Sequence, residues 1–183
     1  MSKLNIVSDT HQRLRILIQE RLPWLLTGLL IGTGASYFVS RFETVLAEKI
    51  SLAFFIPVIV YMSDAVGTQT ETIFVRDLTE HRANFGKYLK KELSIGLVLG
   101  LILGVSIGAI ALLWLKDADV ALTVGIAMGL NVSLAPLVAT IVPEFIFKRH
   151  EDPALGAGPF TTVIQDSISL LIYFAVASVI LLR

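Results

Sequence analysis

Long intervals without a charged residue are the feature that most constrains how this chain can fold. A helix that crosses a bilayer needs about 20 mostly apolar residues to span about 30 Å of hydrocarbon. Three uncharged intervals meet that length, and two further apolar intervals are interrupted only by acidic residues. The uncharged intervals are 22–40, 93–115 and 120–143, and the interrupted ones are 50–75 and 159–182. The sequence therefore predicts an all-α integral membrane protein with five transmembrane helices in each subunit.

The composition agrees with a chain that is surrounded by lipid. Charged residues make up 16% of the sequence, against about 25% in soluble domains. Lys and Arg number 15, as do Asp and Glu, so the formal net charge is zero and gives no overall attraction for nucleic acid. The chain has no Cys, which excludes disulfides and thiolate metal sites.

The distribution of basic residues predicts the orientation in the membrane. Lys and Arg total 11 in the N-terminal segment and in the loops after the second and fourth spans, against 4 on the opposite side. Short cytoplasmic segments carry the excess of Lys and Arg in membrane proteins. We therefore expect a multi-pass protein of the cell membrane with its N-terminus in the cytoplasm and its C-terminus outside.

Two further patterns concern the N-terminal segment and the packing of the helices. Residues 1–21 mix apolar and polar side chains, which predicts a short cytoplasmic amphipathic helix before a five-helix domain at 22–183.

Glycines four residues apart share a helix face and let two helix backbones approach closely in lipid. This pattern predicts a packing seam on the third and fourth spans, at Gly96, Gly100, Gly104, Gly108, Gly125 and Gly129.

Acidic residues inside the second and fifth spans are the candidates for function. A charged group at membrane depth costs about 2.5–3.5 kcal/mol on insertion scales and usually faces a pathway or the bundle interior. At about 1.5 Å per residue, Asp64 and Asp166 fall at comparable depth, each about 10 Å from the cytoplasmic boundary. Each has polar neighbours on its predicted helix face: Thr68, Glu71 and Thr72 for Asp64, and Thr162, Ser169 and Tyr173 for Asp166.

The side chains on these two faces favour a particular class of metal ion. Carboxylates, hydroxyls and amides are hard oxygen ligands that suit Mg²⁺, Ca²⁺ or Mn²⁺. None of the three histidines lies inside a predicted span, which disfavours zinc or copper. For Glu71 a second interpretation stays open, because it lies near the interface and within about a turn of Arg76, with which it can pair.

Several short motifs in the chain resemble the MgtE family of magnesium channels, over nearly the whole sequence from about Leu22. The first lies in the second span, where Gly67-Thr68-Gln69 is followed by Arg76. The others lie at the start of the fifth span and within it, as Asp152-Pro153-Ala154-Leu155, Gly158-Pro159, Asp166 and Ile172-Tyr173-Phe174. The ordered set is far more specific than any one of these motifs.

The resemblance implies a homodimer of five-helix subunits with an ion pathway at the dimer axis. It also implies that Asp166, fourteen residues after Asp152, contributes to a magnesium site in that pathway. Thr68, Gln69 and Thr162 are then candidate co-ligands, with Asp64 and Glu71. The family usually has a Gly-Gly-Asn-like turn where this chain has Ser63-Asp64-Ala65, so the acids of the second span are a departure from its pattern.

Transport of a divalent cation, with Mg²⁺ as the transported ion, is the function that these observations favour. Two alternatives stay open: a sodium- or proton-coupled exchanger that uses Asp64 or Glu71, and a non-conducting partner subunit. An enzyme is disfavoured, because no histidine–metal or activated-nucleophile arrangement falls in the spans. The 21 residues before the first span are too few for the sensor domains of many family members, so control would need the N-terminal helix or a separately encoded regulatory protein.

Overall fold

The computed structural model describes residues 14–80, 84–150 and 153–181, with only the backbone described at 153–156. Within these ranges all regular structure is helical, and five helices are long and apolar enough to cross a membrane. The predicted all-α membrane fold is therefore confirmed. The α-helices are α1 (Leu14–Val39), α2 (Glu43–Glu48), α3 (Ile56–Thr79), α4 (Phe85–Leu115), α5 (Ala118–Lys148) and α6 (Pro153–Leu181).

The described part of the N-terminal segment is continuous with the first span. α1 begins within the predicted amphipathic segment and passes the predicted boundary at Leu22 without a break. Residues 1–13, which make up most of that segment, lie outside the described residues, as does Asp152 of the Asp-Pro-Ala motif. α1 packs mainly against α6.

The connection between the first and second spans is compact and tied to the rest of the bundle. Two 3-10 helices, Ser40–Phe42 and Ile50–Phe55, flank the short α2. The Tyr173 hydroxyl of α6 donates a hydrogen bond to the Leu52 carbonyl oxygen over 2.7 Å. Lys49 forms an ion pair with Asp117, which precedes α5. The loops after the first and third spans therefore meet on one side of the bundle, as an alternating topology requires.

α5 is the central helix, since it packs against α3, α4 and α6. Its contact with α4 follows the predicted glycine seam. A methyl group placed on Gly104 would lie 2.6 Å from the carbonyl oxygen of Gly125, and one on Gly100 would lie 2.5 Å from that of Gly129. Both distances are shorter than van der Waals contact, so the seam is confirmed and only glycine fits at these two positions.

Candidate functional site

α6 carries a stripe of buried residues that faces the interior of the subunit. Its members recur every fourth position, and each is at most 2% exposed: Ala157, Thr161, Gln165, Ser169, Tyr173 and Ala177. Residues four apart share one face of an α-helix. The predicted polar face of α6 is therefore divided, because Ser169 and Tyr173 belong to this inward stripe whereas Thr162 and Asp166 lie half-buried on the adjacent face.

α3 divides its polar residues in a similar way. Ser63, Thr70 and Glu71 are buried against the other helices. Asp64 is half-buried, and Thr68 and Gln69 are exposed at the surface of the subunit. The structure thus places Thr68 and Gln69 on the outer side of α3 and Glu71 on its inner side, with the half-buried Asp64 between them.

Asp64 and Asp166 lie at one level of the contact between these two helices. Each directly follows one end of the hydrogen bond between Gln165 and Ser63, which joins α6 to α3. The Oδ1 atom of Asp166 is buried and accepts no hydrogen bond from any residue in the described ranges. Two like charges at membrane depth, one with a buried oxygen that lacks a donor, are stabilised most directly by a cation.

Glu71 lies nearer the end of α3 and faces the start of α6. Its carboxylate is beside the Thr161 hydroxyl, and its Oε1 atom is 4.0 Å from the position of a methyl group on Gly158. Arg76, with which Glu71 was considered to pair, instead contacts Asp77 at 3.5 Å. Glu71 therefore places a buried carboxyl group in the contact between α3 and α6.

A hydrogen-bonded network that we had not predicted joins α3, α5 and α6. The side-chain amide of Gln165 donates to the backbone carbonyl of Ser63 and lies 3.3 Å from the Ser63 hydroxyl. That hydroxyl donates to the carbonyl of Asn131 over 3.4 Å, and the Asn131 amide donates to the carbonyl of Ser169 over 3.3 Å. The four-residue spacing of Thr161, Gln165, Ser169 and Tyr173 is the sequence signal that places these polar groups on one helix face.

Among the residues that the structure describes, no three His, Cys, Asp or Glu side chains converge in one place. What α3 and α6 present is two carboxyl groups, those of Asp64 and Asp166, with hydroxyl and amide groups on the same two helices. Oxygen atoms of these kinds are ligands for hard cations.

The fold and these residues define a multi-pass α-helical membrane protein with acidic residues inside its membrane-spanning helices. The sequence profile of MgtE, described as a divalent cation transporter, matches residues 56–176. The chain therefore belongs to the MgtE family, as its motifs indicated, and this is a family of transporters rather than enzymes.

Three curated relatives carry the name Magnesium transporter MgtE. The protein from Enterococcus faecalis is 34% identical over 162 residues, and that from Bacillus subtilis is 30% identical over 162 residues. The protein from Thermus thermophilus is 31% identical over 168 residues. The alignments cover 87–88% of this chain and 36% of each relative. The chain thus spans about a third of the length of the relatives that it matches.

Proposed function

We propose that this chain forms the membrane pathway of a Mg²⁺ transporter, with Asp166 as the central ligand and Asp64 as its neighbour. The observation that carries the proposal is the half-buried Asp166 carboxylate, which has a buried oxygen without a donor among the described residues and lies beside a second acid. Membership of a divalent cation transporter family and the names of the three relatives support the same ion.

The second half of the site comes, in this proposal, from another copy of the chain. A two-fold axis beside α3 and α6 would bring each half-site to face its own copy, which doubles the carboxylates from two to four. Thr162 lies one turn from Asp166 on the same half-buried face, and Thr68 and Gln69 are exposed on α3. These groups would line the pathway next to the acids, and Glu71 would raise the local concentration of cations near its cytoplasmic end.

Mg²⁺ suits a site of this kind because it loses its water ligands reluctantly. Carboxylates that contact a largely hydrated ion hold it loosely enough for release, which conduction requires. The excess of Lys and Arg on one side supports an orientation in which the N-terminus and the ends of α3 and α5 are cytoplasmic.

The proposal is tested by Mg²⁺ uptake into liposomes that contain the purified protein and an enclosed fluorescent Mg²⁺ indicator. Asp166→Asn keeps the shape and an oxygen but removes the charge, so we expect uptake to fall to the level of empty liposomes. Asp119→Asn is the matched control, because Asp119 is exposed and lies outside the candidate site. Wild-type uptake by the Asp166→Asn protein would refute the assignment of Asp166.

A coupled exchanger is the second candidate, and the burial of Glu71 favours it. An acid that faces another helix of its own subunit, beside Thr161, is separate from the exposed polar groups of α3. The same liposomes distinguish the two functions when a sodium or a proton gradient is imposed. Mg²⁺ uptake that follows only its own gradient supports the channel, and uptake driven by the second gradient supports the exchanger.

A further inference from the structure

Gln165 makes the closest polar contact between the two helices that carry the candidate ligands. The side chain is 2% exposed, and its amide nitrogen donates to the Ser63 carbonyl oxygen and lies within reach of the Ser63 hydroxyl. A hydrogen bond of this kind is directional and has a narrow range of length. Gln165 therefore restrains how far α3 and α6 can slide or separate at this level.

Gly67 is the residue that makes room for this amide. A methyl group placed on Gly67 would lie 2.6 Å from the amide nitrogen of Gln165 and 2.8 Å from its amide carbon. Any larger residue would therefore push the amide away from Ser63. Gln165 and Gly67 fit each other, and this contact belongs to α3 and α6 of one subunit.

The two ends of the contact lie directly beside the two acids. Asp64 follows Ser63 on α3, and Asp166 follows Gln165 on α6. Consecutive residues of an α-helix differ by about 1.5 Å in height. The bond from Gln165 to Ser63 therefore holds both carboxylates at nearly the same depth, although Gln165 itself points inward, away from the half-exposed face.

We propose that Gln165 is a positioning residue that sets the separation of the Asp64 and Asp166 carboxylates, and through it the preference of the site for Mg²⁺ over larger divalent cations. This inference rests on the proposed function of the two acids. Mg²⁺ keeps several of its waters in near-ideal octahedral geometry, so the carboxylates around the hydrated ion need a fixed separation, whereas Ca²⁺ accepts irregular geometry. A loosened pair of helices consequently weakens Mg²⁺ binding more than Ca²⁺ binding.

The test measures the half-saturating Mg²⁺ concentration and the ratio of Mg²⁺ to Ca²⁺ uptake in liposomes. Gln165→Met keeps most of the side-chain volume and removes the amide. Removal of an outer partner that orients metal ligands typically weakens metal affinity about 10–100-fold, so we expect at least about a tenfold rise in half-saturation and a lower Mg²⁺ to Ca²⁺ ratio. Ser169→Ala is the matched control, because Ser169 lies one turn further along the same buried stripe and its hydroxyl bonds nothing in the described residues.

Gly67→Ala gives an independent measurement of the same contact. Alone it displaces the Gln165 amide and is expected to act like Gln165→Met. In a Gln165→Ala background no amide remains to be displaced, so Gly67→Ala is expected to add little. If Gln165→Ala does not fold, Gln165→Met and Gly67→Ala are sufficient for the test.

The outcomes separate this inference from the proposed function. Wild-type half-saturation and wild-type ion preference in both Gln165→Met and Gly67→Ala overturn the positioning role while leaving Asp166 as a ligand. Equal effects of Ser169→Ala and Gln165→Met also overturn it, because they indicate general loosening of the bundle. Normal uptake by Asp166→Asn overturns the proposed site itself.

Discussion

Gly104→Ala places a methyl group where the backbones of α4 and α5 leave no room for one. The added carbon would lie 2.6 Å from the Gly125 carbonyl oxygen and 3.1 Å from the Gly129 backbone nitrogen. Both atoms belong to the backbone of α5, so no side-chain rotation can relieve the contact. The two helices themselves must move apart.

The cost follows from the size of that movement. Ordinary van der Waals contact begins at 3.4 Å, so the seam must open by about 0.8 Å at this point, the difference between 3.4 and 2.6 Å. Overpacking of this kind costs about 1–3 kcal/mol, against which Ala returns about 0.5–1 kcal/mol in helix propensity. We expect the free energy of unfolding to fall by about 1 kcal/mol, the difference between the middles of these two ranges.

The assay is denaturant unfolding in detergent micelles, followed by the circular dichroism of the helices. Gly34→Ala is the control, because Gly34 lies inside α1 with no atom within 4 Å of its added carbon. That variant is expected to be as stable as the wild type or slightly more stable. If Gly104→Ala and Gly34→Ala unfold at the same denaturant concentration, the close approach of α4 and α5 is refuted.

Two further predictions concern contacts at the side of the bundle that holds the loop after the first span. Tyr173→Phe removes the donor to the Leu52 carbonyl and is expected to cost about 1 kcal/mol in the same assay, since interhelical hydrogen bonds in membranes average about 0.6 and reach about 1.7 kcal/mol; an unchanged midpoint would contradict it. The Lys49 ammonium, which hydrogen-bonds Asp117, lowers the pKa of that carboxyl. The ion pair therefore contributes to stability above the ordinary carboxyl pKa of about 4. This contribution is lost as the pH falls through the lowered pKa of Asp117. Asp117→Asn keeps a residue able to cap α5 but loses the ion pair, so it should be less stable than the wild type at pH 6, and the difference should shrink as the pH falls below the ordinary carboxyl pKa; a difference that does not change with pH would contradict the ion pair.

The number of spans was predictable because charge is expensive in hydrocarbon. The gaps between charged residues identified all five helices, although the helices run beyond the gaps. α4 begins at Phe85 rather than at Leu93, and α5 continues to Lys148 rather than ending at Pro143. Charged side chains at such ends can extend to the interface while the backbone stays helical, so absence of charge underestimates helix length.

The rotation of α6 was not predictable from its sequence. Gln165 and Asp166 are consecutive, so their directions around the helix differ by about 100°, and each belongs to a polar row with four-residue spacing. Most of the remaining positions of α6 are apolar, so no side of the helix is marked as facing water. The sequence therefore does not show which of the two polar rows points inward. The contacts of Gln165 with Ser63 and of Tyr173 with Leu52 decide it.

That rotation also constrains what surrounds the second polar row. Because Gln165 and Tyr173 hold one row inside the subunit, Thr162 and Asp166 are held on the half-exposed face next to it. If that face met lipid, the ionised Asp166 would cost about 2.5–3.5 kcal/mol in each subunit, and no described residue donates to its buried oxygen. Contact with a second copy across a water-filled axis removes this cost, since water and a cation then solvate the carboxylate. The hydrogen bonds of the buried polar row fix the rotation of α6. We therefore infer that this one rotation both keeps that row inside the bundle and turns Asp166 toward the proposed pore.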